Sequence, residues 1–161
     1  MRSIQFLKDT GIYQPFQARL DLAQDLWERY HACLAKDKQL TALLDQYRRC
    51  IDGSAQAMKD TGVFSLCARC DTEEGGSCCG NGIELRYDAV LLLLNLLLGA
   101  ELEEDRLEHD SCHFLGERGC TLPARQVLCV NYLCRQITQK LPTPDIIHVQ
   151  EVCGKELDVQ H

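Results

Sequence analysis

Eleven cysteines stand in a chain of 161 residues, and eight of them fall between Cys67 and Cys134. Thiolates at such density do one of two things, holding soft metal ions or carrying redox and nucleophilic chemistry. The first group is Cys67-Ala-Arg-Cys70, then seven residues, then Cys78-Cys79. A C-x-x-C spacing turns both sulfurs toward one ion, as in zinc knuckles and many iron–sulfur loops. Vicinal cysteines suit a single mononuclear site poorly, because neighbouring side chains diverge. Cys78 and Cys79 therefore serve different metal atoms, or one is a ligand while the other packs or reacts.

The second group is Cys112, Cys120, Cys129 and Cys134. Glycines at both ends of the turn between Cys112 and Cys120 allow those two to come together. Cys129 and Cys134 are five apart, roughly 140° around a continuous helix, so they do not easily reach one ion. Cys129 is the favoured ligand of the two. Arg69, Arg118 and Arg125 lie beside candidate ligands and are placed to balance thiolate charge, Arg125 foremost. His113 is read as solvent-facing, and Cys33, Cys50 and Cys153 as small buried hydrophobes.

The order C-x-x-C…C-C, then Cys112-x-Phe114-Leu115…Gly119-Cys120, then Arg125-x-x-x-Cys129, resembles the bacterial YkgJ-like, or C-x-x-C-x-x-x-C-C, cysteine-cluster family. The resemblance covers Cys67 to about Cys134. It implies a domain chelating zinc or iron, or holding an iron–sulfur cluster. Two features depart from the family: a longer gap before Cys78-Cys79, and Gln126 where proline is usual. The implied metal ligands are Cys67, Cys70, Cys78, Cys79, Cys112, Cys120, Cys129 and Cys134, with Arg125 beside the cofactor. Eight thiolates suffice for two closed zinc sites, whereas a four-iron cubane needs four. The vicinal pair and the family's labelling favour the iron–sulfur cluster over zinc.

No nucleophile–base pair, glycine-rich phosphate loop or His/carboxylate triad accompanies the cysteines. The expected role is therefore a metal-binding module for redox, sensing or metal handling. The alternatives are a zinc-stabilised interaction module, or an enzyme using Cys78-Cys79. Two Asp-Thr-Gly triplets, at Asp9 and Asp60, do not make an aspartic protease: a lysine precedes each, and no apolar strand leads in.

The elements that must position these thiols read as mostly helical, a single domain over 1–161. Phe16, Leu20, Ala23, Trp27, Tyr30 and Leu34 form one helical stripe. The pattern restarts in a new phase at Leu40, Leu44, Tyr47, Ile51, Ala55 and Met58, predicting a helical hairpin over 12–62 that ends at Gly62. Its stripe permits a protein partner or a homodimer. Residues 67–134 form the metal-binding core, opening with a loop from Cys67 to Gly82. Within it Tyr87–Leu98 is a central apolar helix, with Asp88 at its start and Gly99 past its end. Glu101–Asp110 carries six carboxylates and Arg106, and reads as a solvated face. A helix runs from Ala124 toward Leu141, and Thr143-Pro144 opens a last helix within 143–161.

The net charge of −7 argues against nucleic acid or an anionic membrane surface as partner. The longest apolar stretch, Ala89–Leu98, is about half of the roughly 20 residues a membrane span needs. The first fourteen residues lack the apolar core of a secretory signal. The expected setting is the cytoplasm, where thiols stay reduced.

Overall fold

A computed structural model describes residues 14–73, 78–80, 82–103, 105–106, 109–117 and 119–161. The fold is mostly α, with one small two-stranded sheet among the described residues. The helices are α1 (Phe16–Leu34), α2 (Lys38–Asp60), α3 (Val63–Glu73), α4 (Ala89–Leu97), α5 (Val127–Asn131), α6 (Arg135–Lys140) and α7 (Thr143–Gln160). A 3-10 turn covers Ile83–Arg86, and β1 (Leu115–Gly116) pairs antiparallel with β2 (Gly119–Cys120). Among the described residues no helix is long and apolar enough to cross a membrane. The chain divides into two compact units: one takes the residues up to Thr41 and Cys79–Gln126, the other Ala42–Cys78 and Val127–His161.

The phase shift between the first two stripes falls on the turn Ala35–Asp37. Asp37 starts α2: its carboxylate accepts the backbone N–H groups of Gln39 (2.9 Å) and Leu40 (3.0 Å), satisfying donors that no helical carbonyl reaches. Asp88 does the same for α4 by accepting from Leu91 N–H at 2.8 Å. Gly99 closes α4 in the left-handed region at φ 87°. The Gly99 and Ala100 N–H groups return to the carbonyls of Leu96 and Asn95, a Schellman ending.

In the first unit α1 packs on α4. The core there is Leu20, Ala23, Tyr87, Ala89, Leu92, Cys112, Phe114 and Leu122. Only the first half of the α1 stripe is buried; Trp27 is half-buried and Tyr30 is 51% exposed. Asn95 lies at the centre of this unit. Its amide donates to the carbonyls of Leu91 and Ala124, both at 2.9 Å, and its oxygen accepts the Ala124 N–H at 2.8 Å. A helix that is apolar nearly all round thus carries one amide, spent on pinning a loop.

The second unit is built on Ala57, Met58, Val63, Val130, Ile137, Val149 and Cys153. Ser54 donates to the buried carboxylate of Glu156, tying α2 to α7. α7 starts at Thr143 with Pro142 in the cap position and Pro144 in its first turn.

Three sequence expectations are corrected. The loop predicted from Cys67 is helical through Glu73, because Leu66, Ala68 and Arg69 favour helix and the glycine run begins only at Gly75. The helix predicted from Ala124 toward Leu141 breaks at Tyr132–Cys134, where Cys134 takes an extended conformation (ψ 166°) ahead of α6. Cys33 is exposed and Cys50 half-buried rather than core, since Cys33 lies one step off the stripe near the end of α1.

Candidate metal centre

The first unit brings two candidate ligands together that are far apart in sequence. Gly80 and Ser111 form an isolated antiparallel bridge, and the next pair outward is Cys79 with Cys112. The Cys112 N–H donates to the Cys79 carbonyl at 2.5 Å. The Cys112 carbonyl accepts the Leu115 N–H at 3.0 Å; in a regular antiparallel pair at the register of Cys79 and Cys112 the Cα atoms are ~5.5 Å apart and both side chains leave on the same face. That face is the apolar core: Cys112 is 6% exposed and Cys79 packs against the same cluster.

A polar clamp holds the two segments in register. Glu84, itself 2% exposed, accepts the Gly82 N–H at 2.9 Å with one oxygen and pairs with Arg106 through the other. Arg106 also donates to the Ser111 carbonyl. Arg106 is the lone cation of the acidic stretch, so that stretch is not merely a solvated face. On the opposite flank Arg19 is 1% exposed and donates to the carbonyls of Leu85 and Tyr87. Burial lowers the Arg19 pKa and the nearby Asp88 charge acts to raise it. Arg19 Nε finds no acceptor among the described residues.

Burial acts to raise the Glu84 pKa, but hydrogen bonds from its own and the Gly82 backbone, and from Arg106, bring it below the usual glutamate value. A depressed folded pKa stabilises the fold above the ordinary carboxylate range and loses that contribution as the pH falls through the lowered value. Thermal melts from about pH 6 to about pH 3 are therefore expected to fall less steeply for Glu84→Gln than for the parent chain. Parallel acid limbs would show that the clamp contributes nothing to acid sensitivity.

His113 is buried at 8% exposure, not solvent-facing. Its ring packs edge-on against Phe16 and Phe114, and Nε2 lies 2.7 Å from the Glu103 carbonyl. A carbonyl only accepts, so the proton sits on Nε2. His31 likewise has a partner, its Nδ1 donating to the Trp27 carbonyl at 2.8 Å while the two rings stack.

The hairpin sets Cys120 opposite Leu115, not opposite Cys112. Cys120 is exposed at the surface. Crowding around its sulfur nonetheless raises the thiol pKa; the Leu122 backbone and the Arg125 charge act in the other direction. Arg125 sits in a segment clamped on both sides, by Asn95 on Ala124 and by the Tyr87 hydroxyl, which accepts the Gln126 N–H at 3.0 Å.

The remaining predicted ligands belong to the second unit. Cys67 and Cys70 lie three apart on α3 and share a face; Cys67 is exposed and Cys70 half-buried. Cys78 closes this unit's first segment, so the boundary between units separates the vicinal pair. Cys129 is half-buried on α5, while Cys134 packs against the Val130–Ile137–Val149 core. All eleven cysteines are thiols. Arg118 and residues 74–77 lie outside the described residues.

Cys79 and Cys112 are thus two predicted ligands that a backbone hydrogen bond joins within one unit. Among the described residues no group of three or more His, Cys, Asp or Glu side chains is placed to hold an ion. A depression of about 420 Å³ beside Trp27, Leu96, Gly99 and Leu102 contains Glu101 but no cysteine or histidine. Glu84, Arg106 and Asn95 were not among the sequence candidates. The signals that pointed to them were a lone arginine among carboxylates and a lone amide in an apolar helix. No family model matches the chain, and comparison with curated proteins and with solved structures finds no match.

Proposed function

We propose that this chain is a metal-binding cysteine-cluster protein of the kind its Cys67–Cys134 pattern resembles, working in a reducing, cytoplasmic setting. The observation that carries the reading is the hydrogen-bonded pairing of Cys79 with Cys112, candidate ligands from distant parts of the sequence. Random cysteine placement gives no reason for two such thiols to share a buried edge, and chelation does. Within the second unit, the Cys67–Cys70 pair offers two thiolates of its own on one helical face. Arg125 is the cation nearest in kind to a charge-balancing group, since its field already acts on a thiol, that of Cys120.

The vicinal pair favours an iron–sulfur cluster over a single zinc ion, and such a cluster supplies one-electron transfer when bound. Protein purified without oxygen is expected to carry iron with acid-labile sulfide and a broad absorbance near ~400 nm. Colourless protein with stoichiometric zinc would keep the metal module and remove the redox role. Protein without either metal, refusing both on reconstitution, would remove the reading altogether.

A further inference from the structure

The backbone that sets Cys79 beside Cys112 does more than assemble ligands. We propose that Cys79 and Cys112 are a reversible oxidation site, closing into an intramolecular disulfide when the thiols meet a peroxide. The inference uses only this pair, and it stands whether or not the thiolates hold a metal.

Three alternatives within the cysteine set are geometrically worse. Cys78 and Cys79 are neighbours whose side chains diverge. Cys67 and Cys70 face one way on α3, but Cβ atoms three apart on a helix are ~5–6 Å apart, beyond the ~3.5–4.5 Å of a disulfide. Cys120 is set opposite Leu115. At the register that Cys79 and Cys112 occupy, a regular antiparallel pair has a Cα spacing of ~5.5 Å, inside the ~4.4–6.8 Å range of disulfides. Their Cβ atoms must still approach by about an ångström. Among the described residues the bridge at Gly80–Ser111 is an isolated one, so a small local shift suffices. A bond formed with that shift is strained, and strained disulfides are the readily reduced ones. Reversibility therefore follows from the same geometry.

The order of events follows from exposure. Cys79 is half-buried and reachable, whereas Cys112 is 6% exposed. The Cys79 thiolate attacks the peroxide O–O bond, giving a sulfenic acid and releasing water after proton transfer. The Cys112 sulfur then attacks the Cys79 sulfur, forming the S–S bond and expelling the sulfenic oxygen as a second water, with the Cys112 proton leaving on it. Two thiols lose two electrons and two protons, and one hydrogen peroxide becomes two waters.

The test uses the full chain, as purified and after chelation, with metal content recorded for each. Reduced protein receives one equivalent of hydrogen peroxide, is alkylated, and is mapped by tandem mass spectrometry. The expected product has nine of the eleven cysteines alkylated and a Cys79–Cys112 cross-link that dithiothreitol removes. Cys78→Ser keeps the cross-link, Cys79→Ser abolishes it, and Cys112→Ser leaves a sulfenic acid on Cys79 that dimedone traps. Far-UV circular dichroism confirms that each variant is folded. A dominant Cys78–Cys79 or Cys67–Cys70 link in the folded parent, or no cross-link in either preparation, overturns the proposal. A chain that carries no metal as purified, refuses both metals on reconstitution and still forms the link sinks the metal reading alone.

Discussion

Replacing Asn95 by leucine lowers the stability of the chain by about 2–6 kcal/mol, although leucine is more apolar and a better helix former. Asn95 and Ala124 are both fully buried. The asparagine amide accepts the Ala124 N–H and donates to the Ala124 carbonyl. Leucine leaves both backbone groups in an apolar core without a partner, at about 1–3 kcal/mol each. Urea unfolding measures this directly, with Val90→Leu on the same helix as the comparison. Val90 is 46% exposed, and its change is expected to stay within about 0.5 kcal/mol. A leucine variant as stable as the parent would mean that the loop at Ala124 does not depend on the amide.

Cys79→Ser and Cys112→Ser are each expected to weaken metal binding by ~100-fold or more, while Cys134→Ser leaves it unchanged. The magnitude follows from apparent binding energies of ~10–16 kcal/mol shared among four ligands. Serine keeps the shape of cysteine but replaces a soft thiolate with a poor ligand. Cys134 differs because it packs against the apolar core of its unit, so its substitution acts on stability instead. Competition with a chromophoric chelator gives the affinities, and circular dichroism checks the fold. Equal loss of metal in all three variants would place Cys134 among the ligands. No loss in any of them would dismiss the Cys79–Cys112 pair as part of a metal site.

Helices with strong periodicity were readable because their stripes and caps depend on neighbours a few residues away. The Leu20–Ala23 stripe, the restart at Leu40, and Asp88 and Gly99 around α4 all belong to this class. What escaped depends on distance. The helix formers Leu66, Ala68 and Arg69 carry α3 on to Glu73, but the glycines from Gly75, two residues past its end, dominate the composition of that stretch. The burial of His113 follows from Phe16, which arrives from almost a hundred residues away. The Glu84–Arg106–Ser111 clamp joins three segments, and no local pattern carries it. Gln126 is instructive in the opposite sense. It stands where the resembled family carries proline, and its N–H donates to the Tyr87 hydroxyl, a bond proline has no hydrogen to make.

The cysteines were legible as a set and illegible as an arrangement. Spacing allowed Cys112 to meet Cys120, whereas the bridge at Gly80–Ser111 puts Cys112 with Cys79. Pairing of that kind is decided by which loops the core brings together, and sequence spacing does not encode it.

The interleaving of the two units has a consequence for biosynthesis. Each unit is made of two separated stretches, so the chain passes between them three times. When α1 leaves the ribosome, the Tyr87 carbonyl that its Arg19 needs and the α4 face that covers Leu20 and Ala23 are still unmade. The first unit waits until Gln126 has been added, on the order of ten seconds at ordinary elongation rates. Over that interval the α1 stripe is an exposed apolar surface open to a chaperone. The second unit, which needs Val149 and Cys153 for its core, closes later still.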